Sequence, residues 1–295
     1  MARRFGKVRL FCISMFVISC QYFPARKAKK LRVSGKTPAA MIGYMLMKLV
    51  SLNIERDRHL KSRVVPFFER VGPDVICLQE IFEVDFKDLR ARFGGGIYAS
   101  MTKKPSVRPD RGGTALPWGV GILSRAPMRA AYARYYYGNS DDEILEFERM
   151  PDGNIKQETV KKALLWASIS VGGELFTIGT THFTWTPDGN ADGDQRRDAD
   201  ALLAALKKIP DIVWCGDLNA PRGREIFTKF AAEYRDHIPA QYTTSIDAKF
   251  HRKRGLELMV DGLFSTPQYD VSDVKLVSGL SDHCAVQATV RRTSG

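Results

Sequence analysis

The stretch VICLQE, from Val75 to Glu80, is a run of apolar residues that ends in a carboxamide and a carboxylate. Three further segments share this form, and they are LNIE at 52–55, GDLN at 216–219 and SDH at 281–283. Each lies at one end of a predicted buried strand, where the strand fixes the backbone and the adjoining loop leaves the side chain free. Carboxylates, carboxamides and imidazoles bind hard cations and phosphate oxygens. Together the four segments predict one metal-dependent site that cleaves phosphoesters.

Predicted strands and helices alternate unevenly from Lys48 onward. Apolar runs predict several strands in succession, whereas helical spacing is clear at 57–71, 84–93, 195–208 and 224–235. Residues 99–117, rich in Pro, Gly and Lys, are predicted to form a loop, and residues 256–265 a strand. Because successive strands must pair antiparallel, the pattern favours an α/β fold with mixed sheets.

The net charge of +12 is unevenly distributed along the 295 residues. Residues 1–47 contain ten Lys or Arg and no acidic residue, so the remaining chain has 35 basic and 33 acidic residues. The body is therefore nearly neutral, and the overall charge is weak evidence for nucleic-acid binding.

The first 47 residues form a basic extension with three interpretations. Basic residues followed by the apolar stretch 10–19 resemble an export signal or a lipid-anchoring segment. The basic residues that come next oppose export, so the extension is alternatively disordered, or a spurious start upstream of Met45 or Met47. The five cysteines show neither zinc-type spacing nor a disulfide framework. We therefore expect a cytoplasmic protein, with export or anchoring through residues 1–20 as the alternative.

Seven motifs in order resemble the endonuclease/exonuclease/phosphatase superfamily, the DNase I-like metal-dependent phosphoesterases. The motifs are the Asn53 segment, Gln79-Glu80, 119–127, Thr181-His182-Phe183, Gly216–Asn219, Val260-Asp261-Gly262 and Ser281-Asp282-His283. The resemblance covers roughly 48–292 and implies one domain over 48–295. It also implies a four-layer α-β-β-α sandwich, in which two mixed β-sheets pack face to face with helices outside.

The resemblance implies a Mg²⁺ or Mn²⁺ ion held by carboxylates. Glu80 resembles its principal ligand, and Asp282 resembles a second residue around the metal. Glu55 matches a position that is often Asp in the nuclease branch, so its longer side chain leaves a direct metal contact open.

The resemblance also implies a catalytic set with separate roles. Asp217 resembles the carboxylate that orients or deprotonates the attacking water, and Asn219 its hydrogen-bonding neighbour. His283 resembles the imidazole that contacts the scissile phosphate, with Asp261 as its carboxylate partner. The two other members of the set are Asn53, which donates to phosphate or positions its neighbours, and the second histidine, His182. The implied reaction is in-line displacement at phosphorus by an activated water.

The substrate depends on loops that rim the site, predicted at 99–117, 138–160, 183–194 and 236–255. Basic residues in the first and last of these loops and nearby aromatic residues favour nucleic acid as the substrate. A sphingomyelinase-like or phosphoinositide-phosphatase-like activity on lipid or small phosphoesters is the alternative, and a catalytically inactive binding module is the remote one. We expect a monomer, and no protein partner follows from the sequence.

Overall fold

Two sheets of six strands each face one another in the computed structural model, which describes residues 45–293. In chain order the strands are β1 (Met47–Asn53), β2 (Val75–Phe82), β3 (Gly95–Pro105), β4 (Ala115–Ser124), β5 (Met128–Tyr137), β6 (Lys162–Val171), β7 (Glu174–Thr181), β8 (Val213–Asp217), β9 (Arg235–Asp236), β10 (Asp261–Ser265), β11 (Tyr269–Val277) and β12 (Ala285–Arg292). The predicted extension and its export interpretation lie outside the described residues, apart from residues 45–47.

Both sheets are mixed, as predicted. The first has the order β11-β12-β1-β2-β4-β3, and the second β5-β6-β7-β8-β10-β9. The β1–β2 pair and the β7–β8 pair are parallel, whereas the other paired strands run antiparallel. Each parallel pair requires a crossover connection, and a helical segment provides it in both cases.

Helices cover the outer faces of the two sheets. The α-helices are α1 (Val65–Val71), α2 (Glu83–Phe93), α3 (Gly193–Leu206) and α4 (Glu225–Ala231), and a π-helical turn at Leu60–Val64 precedes α1. The 3₁₀ turns are Pro109–Arg111, Gln157–Thr159 and Pro187–Gly189. At the start of α3 the Asp192 side chain accepts a hydrogen bond from the Gln195 N–H at 2.8 Å, a typical N-cap.

Three apolar clusters separate these layers. One lies between the sheets and includes Leu49, Cys77, Leu165 and Cys215. A second packs α1 and α2 on the first sheet, and a third packs α3 and α4 on the second sheet. This is the predicted four-layer α-β-β-α sandwich, so the fold class is confirmed. None of the helices in residues 45–293 has the length and apolar character that crossing a membrane requires.

Two local predictions were wrong. Residues 99–117 do not form one loop, because β3 extends to Pro105 and β4 begins at Ala115. The basic residues and the final proline of β3 are typical of a loop, but β3 is the edge strand of its sheet, next to β4. Residues 256–260 are not part of a strand, and β10 begins at Asp261.

The topology brings the polar segments to one edge of the sandwich. Asn53, Asp217 and Thr181, just before His182, lie at the carboxyl ends of β1, β8 and β7. Asp261 begins β10 and pairs directly with Asp217 across the antiparallel ladder. Carboxyl ends of parallel strands and amino ends of their antiparallel neighbours therefore meet at the same rim.

Candidate active site

Local backbone irregularities direct several predicted side chains into the cleft at this rim. Glu55, Glu80 and Asn219 have φ angles of 50°, 60° and 48°, in the left-handed region that non-glycine residues rarely adopt. The ladder between β2 and β4 also shifts register between Leu78 and Ile81, which marks a bulge around Glu80. Bulges re-aim side chains beside active sites, and this one directs the Glu80 carboxylate into the cleft.

Asn53 joins the two sheets at the centre of the cleft. Its amide nitrogen donates to Asp217 Oδ2 at 3.0 Å and to Glu80 Oε1 at 3.3 Å. The Ser281 hydroxyl donates to the Asn53 carbonyl at 2.5 Å and so anchors the backbone behind it. Residues far apart in the chain are therefore hydrogen-bonded into one polar cluster.

His182 lies between two of the predicted carboxylates. Its Nε2 is 3.3 Å from Asp217 Oδ2 and 4.0 Å from Glu80 Oε1. Close packing of β7 against β8 makes this possible, because a Cβ on Gly216 would lie 2.0 Å from the Thr181 carbonyl oxygen. Gly216 also has a φ of 143°, so only glycine fits at this position without strain.

His283 and Asp261 form a buried pair beside Asp217. His283 Nδ1 is 2.8 Å from Asp261 Oδ2, and its Nε2 is 3.7 Å from Asp217 Oδ2. Burial lowers the pKa of His283, but the charges of Asp261 and Asp217 outweigh burial and raise this pKa well above its ordinary value. The two carboxylates therefore favour the protonated form of the imidazole.

Asp217 is held as a carboxylate. Burial raises its pKa, but His283 and His182 outweigh burial and lower the pKa below its ordinary value. The Asn219 backbone N–H donates to Asp217 Oδ1 at 2.9 Å, and the Asn219 side chain donates to the Phe183 carbonyl at 3.1 Å. Asp217 is thus ionised and fixed, as a group that orients or activates water must be.

Glu55 and Asp282 supply oxygen atoms without partners next to Glu80. Glu55 Oε2 and Asp282 Oδ1 are buried, and neither has a hydrogen-bond partner among the described residues. Burial raises the pKa of Glu55 to about 7, helped by the charge of Asp282, and burial raises the pKa of Asp282 to about 6. Buried carboxylates with free oxygens are the donor set that a hard divalent cation takes. The residues therefore fit a metal ion of this kind.

Asp217, Asp261 and His283 also have potential ligand atoms within 4.8 Å of one another. Their geometry is explained by the histidine–carboxylate hydrogen bond described above. His283 uses Nδ1 in that hydrogen bond, whereas Glu55 and Asp282 each retain a buried oxygen without a described partner.

The cleft has a volume of about 460 Å³ and contains residues from all four predicted rim segments. Its wall also includes Lys162, which the sequence analysis missed because a lysine ahead of an apolar run is typical of an exposed strand start. Of the basic residues at 99–117, Lys104 lines the cleft, whereas Arg111 pairs with Asp57 and Asp85 at 3.0 and 2.6 Å. Arg111 therefore stabilises the fold and is not a phosphate-binding residue.

The model of the Endonuclease/Exonuclease/phosphatase family matches residues 50–283. The match covers most of the chain, so this protein belongs to that family. It is an enzyme that acts on phosphoester bonds, in a family that generally depends on divalent metal ions. No curated protein matches the chain.

Solved structures support the same fold. An endonuclease/exonuclease/phosphatase from Bacteroides vulgatus is 18% identical with a TM-score of 0.61, over 84% of this chain and 99% of that one. The mannosyl-6-phosphatase Bt3783 of Bacteroides thetaiotaomicron is 12% identical with a TM-score of 0.57, over 83% and 99%. ANGEL2, a 2′,3′-cyclic phosphatase solved with adenosine-2′,3′-vanadate, is 14% identical with a TM-score of 0.58, over 85% and 97%.

Proposed function

We propose that this protein is a divalent-metal-dependent phosphodiesterase that cleaves nucleic acid by in-line attack of an activated water. The observation that carries the proposal is the joining of Asp217, Asn53, Glu80 and His182 into one cluster beside the His283–Asp261 pair. This cluster combines an ionised carboxylate, a protonated imidazole and free carboxylate oxygens in one cleft. In-line phosphoryl transfer requires these three elements together.

The geometry supports a separate catalytic role for each of these residues. Asp217, with Asn219 fixed beside it, orients the water and accepts its proton during attack on phosphorus. Protonated His283 donates a hydrogen bond to a phosphoryl oxygen and offsets the charge that gathers there, while Asp261 holds the imidazole in place. Asn53 and His182 hold Asp217 and Glu80 in register across the two sheets.

Glu80, Asp282 and Glu55 would hold the metal, which we propose to be Mg²⁺ or Mn²⁺. When bound, the ion supplies Lewis-acid stabilisation of phosphoryl and leaving oxygens. Glu80 is the most readily ionised of the three. Burial raises its pKa, but the charges of Lys104 and His182 outweigh burial and lower this pKa below its ordinary value.

Nucleic acid is favoured as the substrate by the composition of the cleft wall. Arg56, Lys104, Arg149 and Arg252 line the same cleft as Trp118 and Trp185. Cations that bind phosphates, together with aromatic rings on which bases stack, are typical of surfaces that hold single strands. A neighbour of similar fold, ANGEL2, is named as a 2′,3′-cyclic phosphatase and holds an adenosine derivative.

Lipid or a small phosphoester is the second candidate. Leu145 and Met150, in the segment that supplies Phe147 and Arg149 to the cleft, are 43% and 47% exposed. Apolar side chains exposed beside an active site are suited to contact with a lipid surface. The mannosyl-6-phosphatase among the structural neighbours extends this candidate to sugar phosphates.

One panel of substrates separates these candidates. The full-length protein is incubated with Mg²⁺ and offered plasmid, abasic duplex, 5′-tyrosyl DNA, sphingomyelin and a sugar phosphate. We expect cleavage of at least one nucleic acid, loss of that activity in EDTA, and its loss in the Asp217→Asn variant. Cleavage of sphingomyelin or the sugar phosphate alone would replace the nuclease proposal with the second candidate. Full activity in EDTA would show that the reaction does not depend on a metal ion.

A further inference from the structure

Lys162 is a buried lysine whose ammonium group has no partner among the described residues. It begins β6, is 3% exposed and lines the active-site cleft. No described carboxylate lies within 4.0 Å of it. Burial lowers its pKa to about 8, and the more distant charges of Asp198, Asp217 and Glu80 oppose this effect. A buried cation without a counter-ion is costly to a fold. A buried ammonium group in the cleft without a close ion pair is therefore suited to an anionic ligand.

Lys104 brings a second unpaired ammonium group to the same cleft from β3. Its Nζ lies 3.9 Å from the centroid of the Trp118 ring and 4.4 Å from that of Phe147. No described carboxylate lies within 4.0 Å of it. Burial lowers the pKa of Lys104, and the more distant charge of Glu80 opposes this effect. Lys104 and Lys162 line the same cleft, and the charge of Lys104 contributes to lowering the pKa of Lys162.

Arg149 and Arg252 add two further positive charges to the lining of the cleft. The Arg149 guanidinium lies 4.9 Å from the centroid of Trp185, and its pKa is lowered by burial and by the charge of Arg252. Neither arginine has a described carboxylate within 4.0 Å. Among other basic residues near the cleft, Arg58 pairs with Glu55 and Lys253 with Asp188, whereas Arg56 lines the cleft and donates to the Pro105 carbonyl at 3.2 Å.

The positive charge of these four residues in the cleft lining exceeds what one phosphodiester requires. A scissile phosphodiester carries one negative charge, which His283 and a bound divalent ion would offset. None of Lys104, Lys162, Arg149 and Arg252 has a described carboxylate within 4.0 Å, although Glu80 acts on Lys104, and Asp198, Asp217 and Glu80 act on Lys162, from farther away. A substrate with more than one phosphate group would supply close negative partners for these cations.

We propose that Lys104 and Lys162 form a subsite for a second phosphate group on the substrate molecule, beside the scissile one. The proposal rests on the phosphodiesterase function above and narrows its substrate class. Trp118 and Phe147 hold the Lys104 side chain and shield the subsite from water, which strengthens the contact between ammonium and phosphate. The second phosphate comes either from a nucleic-acid strand or from a small molecule with two phosphates.

Calorimetry on substrate fragments tests this subsite without relying on turnover. Titrations use full-length protein carrying Asp217→Asn to prevent cleavage, with Mg²⁺ present. Thymidine 3′,5′-bisphosphate is compared with thymidine 5′-monophosphate, and an inositol bisphosphate with an inositol monophosphate. We expect a bisphosphate to bind at least about 10-fold more tightly than its monophosphate, because its second phosphate gains charge-assisted hydrogen bonds that the monophosphate lacks.

Substitutions separate the subsite from general effects of buried lysines. Lys162→Met should reduce the preference for the bisphosphate to within about twofold. Lys161→Met is the matched control, because Lys161 is equally buried but bonds the Asp142 carbonyl and lies outside the cleft. It should retain the full preference. Lys104→Met tests the same subsite if Lys162→Met does not fold.

Each outcome bears on either the subsite or the reaction. A preference confined to the thymidine pair supports a nucleic-acid source, and one confined to the inositol pair supports a small molecule. Equal binding of bisphosphates and monophosphates, or a preference that survives Lys162→Met and Lys104→Met, would overturn the subsite. Protein that prefers bisphosphates but cleaves no phosphodiester in the substrate panel would leave the subsite standing and overturn the proposed reaction.

Discussion

The proposed metal ligands should make Mg²⁺ binding strongly dependent on pH. Burial raises the pKa of Glu55 to about 7 and that of Asp282 to about 6. Both carboxyl groups must lose their protons to bind a cation. Because their pKa values are raised, the protonated forms persist below pH 6–7, and affinity should fall as pH falls through this range.

The magnitude follows from these two values. At pH 6 Glu55 is about nine-tenths protonated and Asp282 about half, so binding releases about 1.4 protons, compared with about 0.1 at pH 8. The affinity for Mg²⁺ should therefore rise about 20-fold from pH 6 to pH 8. Glu55→Gln removes the larger contribution and should leave a rise of about twofold.

Isothermal titration calorimetry measures both quantities directly. Titrations of Mg²⁺ at pH 6 and pH 8, in two buffers of different ionisation enthalpy, give the affinity and the number of protons released. Glu83→Gln is the control, because Glu83 pairs with Lys87 on α2 and lies outside the cleft. An affinity that changes less than twofold between the two pH values, with no proton release, would refute the assignment of Glu55 and Asp282.

Three further predictions concern single residues. Asp217→Asn should lower kcat at least about 100-fold while leaving the thermal midpoint within a few degrees, because it removes the proton acceptor but keeps the shape. Asp261→Asn should move the alkaline fall of the pH–rate profile to lower pH, because Asp261 raises the pKa of His283. An unchanged profile would argue against this pairing. Gly216→Ala should destabilise the protein by roughly 2–4 kcal/mol in urea denaturation, because the new Cβ would collide with the Thr181 carbonyl oxygen.

The core of the site was readable from the sequence because its residues lie at strand ends. Asp217 follows an apolar run on β8 and Asn53 ends β1, so local pattern and motif order were sufficient to select them. The hydrogen bond from Asn53 to Asp217 joins the two sheets. It depends on how the sheets pack, which local sequence does not predict.

The lining of the cleft was harder to predict from the sequence, because the burial and ion pairing of its basic residues depend on segments that are distant in the chain. Lys162 precedes an apolar run, and only the folded chain shows that its ammonium group is buried in the cleft. Arg111 and Lys104 occupy the same basic stretch, yet one is paired with Asp57 and Asp85 while the other faces the site. Charge in a sequence predicts a candidate phosphate contact, but its partners decide the role.

Anomalous diffraction from crystals soaked in Mn²⁺ tests the central claim most directly, which is that distant carboxylates converge into one metal site. We predict an anomalous peak at a coordination distance, about 2–2.5 Å, from oxygens of Glu80 and Asp282. A peak on the Asp261–His283 pair instead, or no peak in the cleft at saturating Mn²⁺, would contradict the account.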